Sequence, residues 1–271
     1  MDPVSLSRFY DRDPALVAAD PRFTEAHADL LRLLEDGTLR AAEPDGMGGW
    51  RVHAWVKQAI LTGFRAFPLE AQGGGSWPFF DKGAYPPRQL HLDDGVRLVP
   101  GGSAARRGAH LGRGVVVMPP AYINVGAFVD AGTMVDSHAL VGSYAQIGQR
   151  VHLSAAAQVG GVLEPAGARP VIVEDDAFVG GLVGLFEGIR VGRRAVLASG
   201  VVITGSTVIH DLVHGRTWQR EVPEGAVVVP GTRPATGDYA AGHGLHLSVP
   251  VIVKYRDART DAATALEAAL R

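Results

Sequence analysis

The chain has 271 residues, of which 46% are hydrophobic and 20% charged, with 26 Lys and Arg residues against 28 Asp and Glu residues. This near balance argues against nucleic acid or an anionic membrane as a partner, because such binding depends on a basic patch or stripe. The absence of cysteine excludes disulfides, thiolate nucleophiles and cysteine-bound metals. Neither a signal peptide nor a run of 18 apolar residues is visible, so we expect a cytoplasmic protein that is not bound to a membrane.

Residues 1–92 have the pattern of a helical domain followed by irregular chain. Three leucines at helical spacing predict a helix over 23–34, which should end before Asp36-Gly37. A second apolar stripe predicts another helix over 50–64. We therefore expect an N-terminal α-helical domain.

A repeat of six residues dominates 93–230, where helical patterns disappear. Aliphatic residues recur at every sixth position from Leu111 to Val159 and again from Val173 to Ile209. Residues six apart are rotated by about 240° on a helix, whereas they share a face on a strand. The repeat therefore predicts short strands separated by turns, and hexapeptide repeats are typical of a parallel β-helix. We expect a mainly β protein with a left-handed helix of three hexads per coil.

A small or β-branched residue lies four positions after nearly every repeated aliphatic residue, and we interpret it as the residue that lets the chain turn each corner. The repeat breaks once, over 162–170, which predicts a loop that can wall a groove between subunits. Flat apolar faces and a threefold cross-section predict a homotrimer. The remaining segment, 231–271, is predicted to be a small C-terminal extension with a strand over 247–255 and an alanine-rich helix over 259–270.

Hexapeptide coils are often found in acyltransferases, which makes acyl transfer to an amine a hypothesis by analogy with the fold. This reaction needs a base for the amine and donors for the thioester oxygen. The ionisable candidates are His138, His152, His210, His214, Asp130, Asp136 and Glu187. We expect no metal, because the histidines lack a three-ligand pattern. The phosphate-binding motif GxxxxGK[ST] is missing, so nucleotide hydrolysis is unsupported.

Several longer motifs are more specific than the repeat. The longest is MPPAYINVGAFVDAGTMVDSHALVGSYAQIGQRVHLS at 118–154, and others are LLEDGTLRAAE, GGVLEP, VIVEDDAFVG and VPEGAVVVPG. These segments resemble the tetrahydrodipicolinate N-succinyltransferase family nearly end to end. The resemblance implies a homotrimer that transfers succinyl from succinyl-CoA to the amine of a ring-opened, hydrated cyclic imine diacid. Succinyl-CoA, or another acyl-CoA, is therefore the expected co-substrate.

By position, the resemblance assigns a catalytic role to Asp136 and substrate binding to Arg97, whose guanidinium suits a dicarboxylate. Acyl-CoA is expected beside the loop of 162–170. The expected acyl-CoA contacts are Gly161, Leu163, Pro165 and Ala198.

Three positions depart from the family pattern. The family's A-R-S-E-V-V-E-G reads GLVGLFEG at 181–188, so its Arg falls on Leu182 and its first Glu on Gly184. A family Trp falls on His138. We expect Leu182, Val183 and Gly184 to line a more apolar and roomier acceptor pocket, with His138 as a replacement base. Two alternatives stay open: a related enzyme that acylates another amine, and a non-catalytic trimeric scaffold or ligand-binding protein.

Overall fold

The computed structural model describes residues 1–73, 79–161 and 169–256. Its N-terminal part contains four helices. They are α1 (Pro3–Tyr10), α2 (Pro14–Ala18), α3 (Phe23–Glu35) and α4 (Ala54–Ala66). The helix predicted over 23–34 is confirmed as α3. The helix predicted over 50–64 begins later, because residues 50–52 form a strand instead.

Helices α1 and α2 were not predicted, although both carry a recognisable start signal. Asp2 and Asp13 accept hydrogen bonds from backbone N–H groups of the following turn, and a proline occupies the first helical position of each helix. An aspartate cap followed by proline favours helix initiation, because it satisfies free N–H groups and presets the backbone.

Two small hairpins and one 3-10 turn complete the N-terminal part. Strands β1 (Ala42–Pro44) and β2 (Trp50–Val52) pair antiparallel, as do β3 (Leu69–Gln72) and β4 (Phe79–Lys82), and the 3-10 turn spans Leu92–Asp94. Pairing of β2 with β1 moves the start of α4 to Ala54.

A three-faced β-helix follows, in agreement with the predicted left-handed fold. Face A contains β7 (His110–Leu111), β10 (Phe128–Val129), β13 (Gln146–Ile147), β16 (Ile172–Val173), β19 (Arg190–Val191) and β24 (Glu221–Val222). Face B begins with β5 (Arg97–Leu98), β8 (Val116–Val117), β11 (Met134–Val135), β14 (His152–Leu153), β17 (Phe178–Val179) and β20 (Val196–Leu197). Face C contains β6 (Ala104–Ala105), β9 (Tyr122–Ile123), β12 (Leu140–Val141), β15 (Gln158–Val159), β18 (Gly184–Leu185) and β21 (Val202–Ile203).

Each face is a stack of parallel strands in register, so equivalent residues of successive coils lie in columns. Val135 pairs with Leu153, for example, and Leu153 with Val179. The repeated aliphatic residues are buried and form one continuous core. The period of six therefore gives every coil the same inward position.

The small residue of each hexad has a different role from the predicted one. Ala139 and Ala145 are buried inside the prism, whereas the residues before them, His138 and Tyr144, have left-handed φ angles of 62° and 72°. The preceding residue therefore makes the turn. The small side chain is required because the interior is narrow at the corners.

The C-terminal strands enlarge face B. They are β22 (Val208–Asp211), β23 (Arg216–Gln219), β25 (Ala226–Pro234) and β26 (His246–Tyr255), with a short helix α5 (Asp238–Gly242) between the last two. Strand β26 pairs antiparallel with β25, which brings face B to ten strands. The strand predicted over 247–255 is confirmed, and β25 crosses residue 230. The helix predicted over 259–270 lies outside the described residues.

The N-terminal part lies against the outer side of face A. Trp50 Nε1 donates a hydrogen bond of 2.8 Å to Glu174, and the Arg40 guanidinium lies 3.7 Å from the centroid of the Phe128 ring. The chain that follows also reaches face C, where the backbone N–H of Arg88 donates to the carbonyl of Ala105 at 2.7 Å. None of the described helices combines the length and apolar character that a membrane span requires.

Candidate active site

Asp136 lies at the corner between faces B and C, directly after β11. Its backbone N–H donates to the carbonyl of Leu153 at 2.9 Å, and its Oδ1 accepts from the backbone N–H of Ser137 at 2.7 Å. The carboxylate is half-buried, and its Oδ2 has no donor among the described residues. Asp136 therefore presents one fixed oxygen and one oxygen that a ligand can use.

Small residues continue the column of Asp136 through the following coils. They are Ser154, Gly180 and Ala198, whose backbone N–H groups each donate to the strand of the next coil. Ala198 lies three coils beyond Asp136, or about 14 Å at about 4.8 Å per strand. We name this column, from Asp136 to Ala198, the corner strip. It places a residue predicted to be catalytic and one predicted to bind acyl-CoA on one line.

Backbone donors flank the corner strip. Ala155 and Gly181 occupy the next position of the turn, and their N–H groups have no acceptor among the described residues. Their carbonyls accept from the residues of the following coil, Leu182 and Gly200. The strip therefore offers outward N–H groups that a thioester or amide oxygen could bind.

His138 and Leu182 share a third column at the same corner, with Ala156 between them. The backbone N–H of His138 donates to Pro120, that of Ala156 to Ser137, and that of Leu182 to Ala155, so the two side chains lie two coils apart. Both are exposed, Leu182 by 69%. The His138 imidazole makes no hydrogen bond to Asp136 or to any other described residue, so the structure does not form a catalytic dyad here.

Arg97 lies on the outer side of face B. It pairs with Val116, which pairs with Met134, so Arg97 is two strands, or about 10 Å, from the strand that precedes Asp136. It is exposed and has no carboxylate within ion-pair distance among the described residues. Arg97 is therefore free to bind an anion near Asp136.

Gly184 lies on face C, and the expectation that it leaves a roomier pocket is wrong. A Cβ atom at Gly184 would approach Cε2 of Phe186 to 2.6 Å, and one at Gly160 would approach Cδ1 to 2.7 Å. The ring of Phe186 thus covers both glycines. The ring and exposed Leu182 both present apolar surface on this side of the prism. Val183, which was also expected to line the pocket, is instead buried in the core of the β-helix. No sequence pattern pointed to Phe186, although a glycine two positions before it, Gly184, could have suggested that its ring covers the backbone there.

Gly161 lies at the corner between faces C and A, on the opposite edge of face C from Asp136. A Cβ atom at Gly161 would approach the Ser143 nitrogen to 2.4 Å, so close backbone packing requires glycine here. Leu163 and Pro165 lie outside the described residues. Of the predicted acyl-CoA contacts, the structure therefore places only Ala198 on the corner strip.

The other ionisable candidates have structural partners or lie elsewhere. His152 stacks on Phe178 at 4.9 Å, and Glu187 accepts from the backbone of Gly205 at 3.0 Å. His210 lies in β22. His214 contacts buried Asp211 at 2.9 Å.

Asp211 was not predicted to have a role. It also accepts from the Tyr255 hydroxyl at 2.8 Å and thereby joins the β22–β23 hairpin to β26. Within residues 1–73, 79–161 and 169–256, no group of three or more His, Asp or Glu side chains could hold a metal ion.

The fold and the corner site define a hexapeptide-repeat transferase. The model of the tetrahydrodipicolinate N-succinyltransferase N-terminal domain matches residues 7–66, and that of the hexapeptide repeat of succinyl-transferase matches residues 170–205. A 2,3,4,5-tetrahydropyridine-2,6-dicarboxylate N-succinyltransferase of Aromatoleum aromaticum is 48% identical over 94% of this chain and 92% of its own. Those of Neisseria meningitidis and Rhodopseudomonas palustris are 45% and 41% identical over 93% and 97% of this chain, and 91% and 95% of their own.

The chain therefore belongs to the 2,3,4,5-tetrahydropyridine-2,6-dicarboxylate N-succinyltransferase family, a family of acyltransferases. A solved structure from Campylobacter jejuni, described as a 2,3,4,5-tetrahydropyridine-2-carboxylate N-succinyltransferase, superimposes with a TM-score of 0.52 at 16% identity. The superposition covers 84% of this chain but only 62% of the other. It supports the fold alone.

Proposed function

We propose that the chain transfers succinyl from succinyl-CoA to the amine of ring-opened tetrahydrodipicolinate, with Asp136 as the catalytic carboxylate. The observation that carries the proposal is the fixed, half-buried carboxylate at the head of the corner strip. Membership of the N-succinyltransferase family supports the choice of donor and acceptor.

In this reaction the amine nitrogen attacks the thioester carbon, a C–N bond forms, and the C–S bond breaks to release CoA. Asp136 Oδ2 takes up the proton that the amine loses, because this oxygen has no other donor. The departing thiolate takes up a proton from solvent. The thioester oxygen becomes negative as the amine adds, and in this proposal it accepts from the N–H group of Ala155 or Gly181. Neither N–H group has an acceptor among the described residues, which supports this role.

Acyl-CoA lies along the corner strip in this proposal, from Asp136 towards Ala198. The small side chains of the strip allow close approach of the pantetheine arm, and Arg97 binds a carboxylate of the acceptor. Gly161, Leu163 and Pro165 stay predictions for acyl-CoA contacts. Gly161 lies on the opposite edge of face C from the corner strip. It would contact acyl-CoA in a homotrimer in which this edge faces the corner strip of a neighbouring copy.

The wall formed by Leu182 and Phe186 supports a second candidate: transfer to an acceptor with only one carboxylate. Neither residue can form an ion pair, and an unpaired carboxylate against an apolar wall loses hydration without compensation. His138 remains a candidate base for such an acceptor. The two candidates differ in the acceptor, so an assay that compares acceptors separates them.

The test measures CoA release from succinyl-CoA with a thiol-reactive dye, to which this cysteine-free protein contributes no background. Acceptors are tetrahydrodipicolinate and its monocarboxylate analogue, each with wild type and Asp136→Asn. Release that requires tetrahydrodipicolinate and Asp136 supports the first candidate. Preference for the monocarboxylate supports the second. Tight CoA binding without release on either would favour a ligand-binding protein and overturn both.

A further inference from the structure

A cleft separate from the corner strip lies between the β1–β2 hairpin and the corner that joins faces A and B. Its volume is about 520 Å³, and Trp50 forms part of its wall. Three arginines and four carboxylates line it. A cleft of this size is large enough for a small metabolite. The nearly equal numbers of positive and negative groups suit a ligand that carries both charges.

Arg40 supplies the positive end of the cleft. Its guanidinium lies 3.7 Å from the centroid of the Phe128 ring, and its Nε donates to Gln146 Oε1 at 3.1 Å. No carboxylate lies within ion-pair distance of Arg40 among the described residues. Arg40 lines the cleft, and no described residue accepts a hydrogen bond from either of its Nη groups. Burial lowers the pKa of this guanidinium.

Asp130 and Asp175 supply the negative end. Asp130 Oδ1 accepts from the backbone N–H of Ala131 at 2.7 Å, and no cation lies within ion-pair distance of its carboxylate among the described residues. Asp175 Oδ1 accepts from Gln149 at 2.9 Å, while its Oδ2 lies 3.8 Å from Arg193. One oxygen of Asp130 is therefore unused. Glu174, by contrast, already accepts hydrogen bonds from Trp50 Nε1 and Arg190 Nε.

Arg40 and Asp130 thus line one cleft and form no ion pair with each other, whereas Asp175 lies within ion-pair distance of Arg193. A ligand with only a negative charge would be repelled by the carboxylates, and a ligand with only a positive charge would be repelled by the arginines. A ligand that carries a carboxylate and an ammonium group on neighbouring atoms satisfies both ends, since charge-assisted hydrogen bonds form at each.

We propose that this cleft binds a zwitterionic α-amino acid, with its carboxylate on the Nη groups of Arg40 and its ammonium group on Asp130 and Asp175. The side chain of the ligand packs towards Trp50. Residues from the N-terminal part and from the β-helix both contact the ligand, so binding joins these two parts of the chain.

The test uses saturation-transfer difference NMR on the full-length protein without acyl-CoA, so its result does not depend on transferase activity. The probes are L-norvaline, pentanoate, which lacks the ammonium group, and butylamine, which lacks the carboxylate. We expect L-norvaline to receive saturation and to bind at least about tenfold more tightly than either fragment.

Two variants assign the signal to the cleft. Arg40→Gln and Asp130→Asn should each weaken L-norvaline binding by about tenfold or more, whereas Arg233→Gln, an exposed arginine of β25, should leave it unchanged. Asp130→Asn keeps the contact of Arg40 with Phe128 and so separates lost binding from lost folding. Absence of saturation in wild type at 20 mM (about the weakest affinity of interest), or equal saturation in wild type and both variants, would overturn the proposal.

Discussion

The ring of Phe186 lies over the backbone of Gly184, so close that a Cβ atom at position 184 would approach Cε2 of the ring to 2.6 Å. Any side chain at position 184 would have to displace this ring. On the outer side of face C, the apolar ring therefore takes the place that a polar side chain at 184 would occupy. The surface that Leu182 and Phe186 form beside the corner strip is therefore uncharged.

Introducing a cation at this wall should shift acceptor preference. Leu182 is exposed and already has a left-handed φ of 61°, so Leu182→Arg adds charge without a change of backbone. We expect kcat/KM for tetrahydrodipicolinate to rise about tenfold relative to the monocarboxylate analogue, because a charge-assisted hydrogen bond then forms. Leu182→Met is the matched control and should leave the ratio unchanged. If this ratio of kcat/KM values is the same in Leu182→Arg and Leu182→Met, the acceptor does not bind beside residue 182.

Removal of the carboxylate at the corner should slow transfer without weakening acyl-CoA binding. Asp136→Asn keeps the size of the side chain and its acceptor oxygen for Ser137 N–H, but it removes the base. We expect kcat to fall by about 10²–10⁴-fold. Ser137→Ala is the control, since only the backbone of Ser137 contacts Asp136. A fall in kcat of less than threefold (roughly 0.6 kcal/mol) in Asp136→Asn would exclude a catalytic role.

Removing the hydroxyl of Tyr144 should stabilise the folded protein. The residue is 3% exposed, and its hydroxyl has no hydrogen-bond partner among the described residues. Burial also raises the pKa of this phenol, so it stays neutral. We expect Tyr144→Phe to raise the free energy of unfolding by about 1 kcal/mol, because a buried unsatisfied group is lost.

Tyr85→Phe provides the matched comparison for Tyr144. The Tyr85 hydroxyl donates to the Ile60 carbonyl at 2.9 Å and lies 2.8 Å from His27 Nε2. Its removal should cost about 1–3 kcal/mol, since Nε2 of the buried His27 imidazole would lose this partner. Urea unfolding monitored by circular dichroism measures both variants. A loss of stability in Tyr144→Phe would show that its hydroxyl is hydrogen-bonded in solution.

The stability of the N-terminal part should depend on pH through His27. Burial, with a smaller contribution from Arg107, lowers the pKa of this imidazole from 6.5 to about 3. Below pH 6.5 the unfolded chain binds a proton that the folded chain does not, so stability is lost as the pH falls towards 3. Between pH 6.5 and 5 we expect a loss of about 2 kcal/mol from this group.

Urea unfolding at pH 7, 6 and 5 checks this expectation. His27→Gln should be less stable than wild type at pH 7, because the hydrogen bonds to Tyr10 and Tyr85 are disturbed, but its stability should change less between pH 7 and 5. His243→Gln, at an exposed position beside Tyr239, should keep the dependence of wild type. An unchanged pH dependence in His27→Gln would assign the proton uptake to another group.

The period of six was sufficient to predict the β-helix, because one inward position per hexad can be satisfied only by strands that repeat in register. The same period placed Asp136 at a corner, since it directly follows the inward Val135. Local rules also located α3 and β26. They did not locate the exact start of α4, because pairing of β2 with β1 outweighs helical propensity at Trp50.

Contacts between distant parts of the chain depended on the tertiary structure. The sequence identified Gly184 as a departure from its family, but only packing shows that Phe186 covers it, since the direction of an aromatic side chain depends on the space that its neighbours leave. Arg40 and Asp130 are 90 positions apart in the chain, and no local pattern connects them. They line one cleft because the N-terminal part packs against face A. Burial of apolar surface and the Trp50–Glu174 hydrogen bond stabilise this packing.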